Sequence, residues 1–367
     1  MTAAKRVAIG LVGPLPPPSG GMANQTLQLA RLLDEAGLAT ELVQVNRALR
    51  PAWLERLRML RAGLRLVPYL FRLWRCAGRV DLIHVMANSG WAWHLYAAPA
   101  VWIARARGVP VIVNYRGGEA ESFLARQARW VRPTLRRAFA IIVPSGFLEA
   151  VFRRFGIATE IVPNIIDLAR FRPASSRPDG HHVIVTRNLE PIYDIGTALH
   201  AFADVRRVYA DATLTVAGSG PELPDLQRLA GELGVAASVR FTGRLDNERL
   251  ADLYREADLV LNPSLADNMP ISLLEGMASG VPIVSTDVGG IPYLVADRSE
   301  ALLVPPREPA RMAAAALDVF RDPGLAQQMR AAGIETARRY TWAQVRPKLF
   351  AVYARALGVP SLRECAT

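Results

Sequence analysis

The amino-acid sequence predicts an α/β protein made of two similar, doubly wound domains. Short apolar runs rich in β-branched residues alternate with longer segments of helical periodicity, which is the pattern of parallel sheets covered on both faces. There are twelve such runs, six in each half, and 367 residues are enough for two domains. No sequence repeat connects the halves, so we expect them to share architecture only.

The predicted strands of the first half are Val7–Val12, Glu41–Val45, Leu82–Met86, Val109–Asn114, Ile141–Pro144 and Glu160–Pro163. Those of the second half are His182–Thr186, Thr213–Ala217, Ser238–Thr242, Asp258–Asn262, Val281–Ser285 and Leu302–Pro305. The clearest helical segments are Asn24–Glu35, Asn247–Glu256 and Pro309–Phe320.

The domain boundary is predicted in Phe171–Gly180, which is rich in Pro, Ser and Gly. Residues 1–172 then form one domain and residues 173–342 the other, with a helix at about 343–358 packing back on the first. Because open α/β sheets bind ligands at the carboxyl ends of their strands, two such domains facing each other would enclose a cleft.

The composition excludes several classes of protein. Hydrophobic residues make up 51% and charged residues 21%, as expected for an ordered core. The only cysteines are Cys76 and Cys365, too few for a disulfide scaffold or a cysteine-rich metal site. The five histidines include no HExxH spacing, which excludes a zincin.

Neither a signal peptide nor a membrane span is predicted. The apolar run Val7–Val12 is short, and prolines rather than a small-residue cleavage site follow it. The best apolar window, Trp91–Ala104, has 14 residues and contains His94 and Pro99, which is too short to cross a bilayer. We therefore expect a location in the cytoplasm or on the cytoplasmic face of the membrane.

The charge is distributed unevenly between the two halves. Residues 1–170 contain 23 Lys and Arg and 10 Asp and Glu, a net charge of +13, whereas residues 171–367 have a net charge of −2. This difference indicates that the first half meets an anionic partner. Nucleic acid is not expected, because no helix-turn-helix, zinc-finger, RRM or KH motif is present.

The segment 47–79 holds nine arginines and one acidic residue, Glu55. Its apolar residues recur at alternating spacings of 4 and 3, on one helical face. They are Trp53, Leu57, Leu60, Leu64, Val67, Phe71 and Trp74, with Arg58, Arg61, Arg65, Arg72, Arg75 and Arg79 beside them. The pattern is typical of amphipathic helices at an anionic membrane surface, and Pro68 predicts two short helices instead of one. The alternative is a helix that packs on the sheet with a solvated arginine face.

Two loops that follow predicted strands are candidates for binding an anion. In GPLPPPSGGMANQ (13–25), Gly20 and Gly21 precede a helix whose first amides could bind phosphate, although a plain surface loop is equally consistent with the spacing. The spacing is not GxGxxG, which argues against nicotinamide or flavin binding. Arg187 follows the strand His182–Thr186 and could pair with phosphate, although a surface position is commoner for an isolated arginine.

The strongest motif is NPSLADNMPISLLEGMASGVPIVSTDVGG (262–290), in which Asp267 lies in a loop and Glu275 in the following helix. A carboxylate between buried strands needs partners, and the vicinal hydroxyls of a ribose would be suitable. The amides near Ile271 and Ser272 could hold a diphosphate. The alternative is that Asp267 caps the helix and Glu275 faces solvent.

Together these segments resemble a retaining glycosyltransferase of the GT-B fold, family 4 (glycosyl transferases group 1). Asp267 and Glu275 resemble that family's E-x7-E signature, with Asp for the first Glu. Further matches are VPSGFLEAVF…EIVPNIIDLARFRP (143–173), VAGSGPE (216–222) and FTGRLDNERLADLYREADLVLNPS (241–264). The resemblance implies two Rossmann-like domains facing across a cleft, the second binding a nucleotide-diphospho-sugar and the first an acceptor.

The resemblance also implies roles for individual residues. Glu275 would bind the donor ribose, Asp267 the hydroxyls of the donor sugar, and Arg187 would neutralise the charge of the leaving nucleotide diphosphate. The other donor-binding residues would be Asn268, Met269, Ile271, Ser272, Gly20, Gly21, Tyr193 and Gly218. No protein nucleophile, metal or cofactor is required by this arrangement.

Two departures from the family pattern affect these roles. Tyr193 occupies the position of the usual donor-phosphate Lys, so either Arg187 serves alone, helped by Tyr193, or phosphate binding is weakened. In the first domain, NYRGGEAESF (114–123) stands where the family often has a His. Arg116, with Gly117 and His84, would bind a phosphate-bearing acceptor. The alternative is that Gly117 and Gly118 only make a tight turn.

The leading interpretation is a retaining sugar transfer to a lipid-linked or surface polysaccharide acceptor, at the inner face of the cytoplasmic membrane. One alternative is a nucleotide-sugar-binding pseudoenzyme that scaffolds a polysaccharide complex, which the missing Lys favours. Another is a different GT-B enzyme, such as a sugar epimerase or phosphorylase. The donor base, the sugar, the acceptor and the oligomeric state are not predicted.

Overall fold

The structure, a computed structural model, describes residues 6–17, 20–47, 61–174 and 180–362. The chain divides into two compact units. The first unit consists of Met1–Pro163 and Val345–Thr367, and the second of Asn164–Gln344. Each unit contains one parallel six-stranded sheet with helices on its faces, so the predicted α/β class with two doubly wound sheets is confirmed.

The first sheet has the strand order β2-β1-β3-β4-β5-β6, and all its pairings are parallel. Its strands are β1 Ala8–Gly13, β2 Ala39–Gln44, β3 Leu82–Ala87, β4 Val111–Tyr115, β5 Ala140–Val143 and β6 Glu160–Ile161. The helices are α1 Gly21–Glu35, α2 Arg61–Cys76, α3 Ala98–Ala106, α4 Ala120–Leu135 and α5 Gly146–Arg154, and a π-helical turn, Trp93–Ala97, precedes α3. Helices α2 to α5 pack in a row, each against the next, over one apolar core.

The second sheet has the order β12-β11-β10-β7-β8-β9 and is also parallel. Its strands are β7 His182–Val185, β8 Thr213–Ala217, β9 Val239–Gly243, β10 Leu259–Asn262, β11 Ile283–Thr286 and β12 Leu302–Val304. The helices are α6 Ile195–Val208, α7 Leu223–Glu232, α8 Asn247–Glu256, α9 Ile271–Ala278, α10 Pro309–Arg321 and α11 Pro323–Arg338. All twelve predicted strands overlap observed ones.

The two places where the chain passes between units lie close to Pro163 and Gln344. The crossing at Pro163 comes earlier in the sequence than the predicted boundary after residue 172. The reason is that Ile166 already pairs with Thr341 and packs in the core of the second unit. Residues 175–179 of the predicted linker lie outside the described residues. The last helix, α12 Trp342–Leu357, contributes buried Tyr353 to the first unit.

Helix α2 continues through Pro68 without interruption, so the prediction of two shorter helices is wrong for the described part of this segment. One face, with Tyr69, Leu73 and Cys76, is buried in the core, and this packing holds the turn in which Pro68 cannot donate a hydrogen bond. The predicted apolar stripe is exposed instead at Leu64, Val67, Phe71 and Trp74. Trp53, Leu57, Leu60 and Arg58 lie outside the described residues.

None of the helices in the described parts of the chain has both the length and the apolar character needed to cross a bilayer.

The two faces of α2 should respond differently to truncation. We expect Leu73→Ala to lower the free energy of unfolding by about 2–5 kcal/mol, because it leaves a cavity in the core. Phe71→Ala should change it by less than about 0.5 kcal/mol, because 61% of Phe71 is already exposed. Urea titration followed by circular dichroism measures both. Equal losses would contradict the assignment of the two faces.

Candidate active site

Arg187 is the centre of a polar cluster at the carboxyl ends of β7 and β10. Its guanidinium forms an ion pair with Asp267 and donates a hydrogen bond from Nη1 to Ser272 Oγ at 3.2 Å. The guanidinium carbon also lies 4.1 Å from the ring centroid of Tyr193, a cation–π contact. Only 11% of the Arg187 side chain and 13% of the Asp267 side chain are exposed. The cluster therefore holds a nearly buried cation in one orientation.

The loop that carries Asp267 is held mainly by its backbone. The Asn268 amide donates to Asp267 Oδ1 at 2.8 Å, and the Gly290 amide donates to the Asp267 carbonyl at 2.9 Å. Asn164 donates from Nδ2 to the Met269 carbonyl at 2.9 Å. Asn268 and Met269 are buried, so we expect any ligand contact they make to come from the backbone.

Three glycines let backbones approach this site closely. A Cβ at Gly218 would overlap the carbonyl oxygen of Arg187, and one at Gly289 or Gly290 would overlap the carbonyl oxygen of Asp267 or Asn268. Gly218 thus supports the backbone of Arg187. The supporting roles of Gly289 and Gly290 were not predicted, although the pair ends the 262–290 motif.

Glu275 is buried inside α9, which excludes the alternative in which it faces solvent. The hydroxyl of Tyr254, on α8, lies 3.0 Å from the Ser272 carbonyl oxygen and 3.2 Å from Glu275 Oε2, and its single proton is shared between these two acceptors. Burial raises the pKa of Glu275 to about 8, although the hydrogen bond from Tyr254 and the charges of Arg187 and Arg170 oppose the shift. Tyr254 was not predicted as a site residue, because it lies on a separate helix.

The start of α9 is suited to an anion. The residue before it is Pro270, and no side chain caps the helix, so Asp267 does not act as the cap. The amides of Ile271 and Ser272 therefore remain available at the positive end of the helix dipole, next to Arg187. The structure brings Arg187, Tyr193, Gly218, Asp267 and Ser272 together at this point.

The predicted residues of the first unit lie in two places. Gly20 precedes α1 and Gly21 begins it, and a Cβ on either would meet nothing within 4 Å, so the space above the helix start is open. Gly117 follows β4, and a Cβ there would overlap the side chains of Asn88 and Ser89 after β3. The tight approach of these two loops therefore requires a glycine at this position.

His84 is fully buried in a hydrogen-bonded chain that ends at Arg116. Arg116 donates from Nε to Asn114 Oδ1 at 3.1 Å, so the Asn114 amide nitrogen faces His84 Nε2 at 3.0 Å. His84 Nε2 must then accept, and its proton lies on Nδ1, 2.7 Å from the Tyr353 hydroxyl. Burial and the charge of Arg116 lower the pKa of His84 to about 3. His84 thus positions Arg116 through Asn114 and offers no exposed surface to a ligand.

Two family models match the chain, one mostly over the first unit and one within the second. The model of Glycosyl transferases group 1 matches residues 180–322, and that of Glycosyltransferase Family 4 matches residues 19–170.

Several curated proteins are similar to the chain over most of its length. The glycogen synthase of Mycobacterium tuberculosis is 30% identical over 314 residues, which cover 81% of this chain and 73% of that protein. The D-inositol 3-phosphate glycosyltransferase of Segniliparus rotundus is 31% identical over 311 residues, covering 77% and 68%. The D-inositol 3-phosphate glycosyltransferase of Streptomyces bingchenggensis is 29% identical over 231 residues, which cover 57% of this chain. This match spans about half of that relative's length, 51%.

Solved structures with a similar fold include sucrose-phosphate synthase from Thermosynechococcus elongatus, with a TM-score of 0.76 and 20% identity over 96% of this chain and 100% of that chain. The Anabaena protein HepE in complex with UDP and glucose has a TM-score of 0.76 and 18% identity over 95% of this chain and 100% of that chain. The two parallel six-stranded sheets match the two Rossmann-like domains of the GT-B fold. The chain belongs to the glycosyl transferases group 1 family.

The buried carboxyl group of Glu275 should make stability depend on pH. An unfolded glutamate loses its proton near about pH 4.3, whereas Glu275 in the folded chain keeps it up to about pH 8. The folded state therefore binds more protons in this window, and stability should fall as pH rises through it. We expect the Tm of Glu275→Gln, relative to that of the wild type, to increase steadily from pH 5 up to pH 8.

The measurement is thermal unfolding from pH 5 to 9, with the exposed Glu232→Gln as the control. Parallel pH profiles for wild type and Glu275→Gln would contradict the neutral, buried state of Glu275.

Proposed function

We propose that the protein is a retaining glycosyltransferase that moves a sugar from a nucleotide-diphospho-sugar to a lipid-linked or surface polysaccharide acceptor. The observation that carries the proposal is the cluster of Arg187, Asp267 and Ser272 at the uncapped start of α9. It offers a fixed cation and free amides where the charge of a leaving diphosphate would develop. One cited relative is named a glycosyltransferase and another a glycogen synthase, and HepE was crystallised with UDP-glucose, which supports the donor class.

The donor would be held by three groups of the second unit. The amides of Ile271 and Ser272, with Arg187, would hold the diphosphate, and Asp267 would accept from hydroxyls of the sugar. Glu275 uses Oε2 for Tyr254 and has no other hydrogen bond among the described residues, so Oε1 is available for a ribose hydroxyl. Because Arg187 and the amides supply positive charge, the proposed reaction needs neither a metal nor a cofactor.

Tyr193 supports an active enzyme over a pseudoenzyme scaffold. The ring of Tyr193 stacks against the Arg187 guanidinium and fixes its plane. Among the described residues, Arg187 is the cation of this cluster. A cation–π contact in a desolvated position is worth about 2 kcal/mol. Arg187, oriented in this way, would serve without the lysine that the family usually has at position 193.

We propose that the acceptor bears a phosphate and contacts Arg116. This arginine follows β4, at the carboxyl edge of the first sheet where α/β folds bind ligands. Burial lowers its pKa to about 10, which leaves it charged at neutral pH. The chain through Asn114 and His84 holds it in one position.

The function is tested with a panel of nucleotide sugars. Purified protein is incubated with each donor and a phosphate-bearing lipid acceptor, and release of nucleoside diphosphate is measured together with the anomeric configuration of the product. Donor-dependent release and a retained anomer are expected. Donor binding without release, with or without acceptors, would favour the scaffold, and an epimerised donor would favour the epimerase alternative.

Replacing Arg187 should slow turnover. We expect Arg187→Ala to lower kcat by at least tenfold, since losing one preorganised donor to a developing anion costs about 2.7–4 kcal/mol. Tyr193→Phe keeps the ring under the guanidinium and should retain most of the activity, whereas Tyr193→Ala should lose more. Steady-state kinetics with the best donor of the panel decide this. Near-normal turnover in Arg187→Ala would remove Arg187 from the proposed mechanism.

We also propose that the protein attaches to anionic membrane through residues 47–79. In the described part of this segment, Leu64, Val67, Phe71 and Trp74 form an exposed apolar stripe, and arginines lie beside it. The net charge of +13 on residues 1–170 adds a long-range attraction to anionic lipid. Such an attachment would bring the enzyme to a lipid-linked acceptor.

The arginines of α2 should contribute to this attachment. Each is worth about 1 kcal/mol at an anionic surface, so Arg65/Arg72/Arg75→Gln should weaken binding by about a hundredfold. The control, Arg311/Arg321/Arg339→Gln, makes the same charge change on exposed positions of the second unit. Sedimentation with anionic and neutral vesicles, at about 0.1 M and 1 M salt, measures the difference. Equal weakening by both triple variants would mean that net charge, and not α2, drives binding.

A further inference from the structure

The outer surface of the first unit carries large aromatic side chains beyond α2. Trp102 on α3 is 45% exposed and Trp130 on α4 is 67% exposed, compared with 61% for Phe71 and 46% for Trp74 on α2. Helices α2, α3 and α4 pack side by side on the same face of the sheet. Exposed rings of this size are uncommon on a surface that meets only water, and several on adjoining helices indicate a contact surface.

Arginines stack on these rings and connect the neighbouring helices. Arg107, just after α3, lies 4.9 Å from the ring centroid of Trp74 on α2. Arg137, after α4, lies 4.0 Å from the centroid of Trp102 on α3. The Trp102 indole also donates to Thr134 of α4 at 3.1 Å. The rings and guanidinium groups therefore form one row across three helices, which we call the arginine–aromatic row.

The arginine–aromatic row contains almost no negative charge. Helices α2 and α3 have no acidic residue, and the only one within α4, Glu121, pairs with Arg154 of α5. Some arginines elsewhere in the first unit pair with carboxylates, as Arg79 does with Glu41 and Arg355 with Glu160. Arg107 and Arg137 instead stack on indole rings, with no acidic partner among the described residues.

We infer, resting on the membrane attachment proposed above, that α2, α3 and α4 form a single docking surface for an anionic bilayer, with Trp102 and Trp130 as anchors additional to α2. Tryptophan prefers the membrane interface because its ring is apolar and its N–H is polar. Arginine can place its aliphatic stem along the rings while its guanidinium meets lipid phosphate. A row of both residue types, free of acids, matches an anionic lipid surface in polarity and in charge.

The test compares three variants of the full chain on vesicles of phosphatidylglycerol and phosphatidylcholine. Trp102→Gln/Trp130→Gln removes the proposed anchors, and Phe71→Gln/Trp74→Gln removes rings of α2. Trp91→Gln is the matched control, since Trp91 is 76% exposed but lies at the other end of the helical layer, just after β3. Vesicle partitioning is measured by sedimentation, and circular dichroism with thermal unfolding checks that each variant is folded.

We expect the Trp102/Trp130 variant to partition at least about tenfold more weakly than wild type, since each ring buries apolar area in the interface. Trp91→Gln should bind like wild type. Wild-type binding by the Trp102/Trp130 variant, with weak binding by the α2 variant, would overturn the inference and leave attachment through α2 intact.

Two other outcomes separate the remaining possibilities. Wild-type binding by both double variants would reject the aromatic rings as anchors and overturn the inference, while the attachment proposed for residues 47–79 would still be decided by the arginine variants of α2. A wild-type dimer that the Trp102/Trp130 variant converts to monomer, with no binding to vesicles, would assign the arginine–aromatic row to a second copy of the chain and overturn the inference.

Discussion

The nearly buried ion pair between Arg187 and Asp267 is the interaction on which the architecture of the second unit's site depends. Removing two charges from water costs several kcal/mol for each ion, and this cost is offset only by good geometry and further hydrogen bonds. Ser272 and the ring of Tyr193 supply those contacts to Arg187, and the Asn268 amide supplies one to Asp267. The pair therefore connects the loops that follow β7 and β10 with the start of α9.

The strands could be predicted because strands of a parallel sheet are buried on both faces and appear as continuous apolar runs. The 262–290 motif could be predicted because its loop, helix and strand are consecutive. Contacts between distant segments could not be predicted. Tyr254 reaches Glu275 from a separate helix, and His84 meets Tyr353 across 269 positions of sequence, so neither partner leaves a local pattern.

Helix α2 illustrates a different limit of sequence patterns. A period of 3 and 4 identifies an apolar face, but it does not say whether that face meets the protein core or the outside. Here α2 is apolar on two faces, and the core takes the one with Tyr69 and Leu73. The same core packing carries the helix past Pro68, which local rules treat as a breaker. The stripe with Phe71 and Trp74 lies on another face of the helix and remains exposed.

The raised pKa of Glu275 bears directly on how the site would accept an anionic donor. A carboxylate fixed near a diphosphate would repel it strongly in a medium of low dielectric constant. With a pKa of about 8, Glu275 is mostly neutral at pH 7, so an incoming diphosphate would meet Arg187 and the amides of α9 without a second buried negative charge. In either protonation state, Oε1 of Glu275 would remain available to a ribose hydroxyl, because only Oε2 is bonded to Tyr254. Burial of Glu275 under Tyr254 would thus permit an acid to lie beside the proposed phosphate site, and it explains why a helix wedged between two buried strands tolerates that residue.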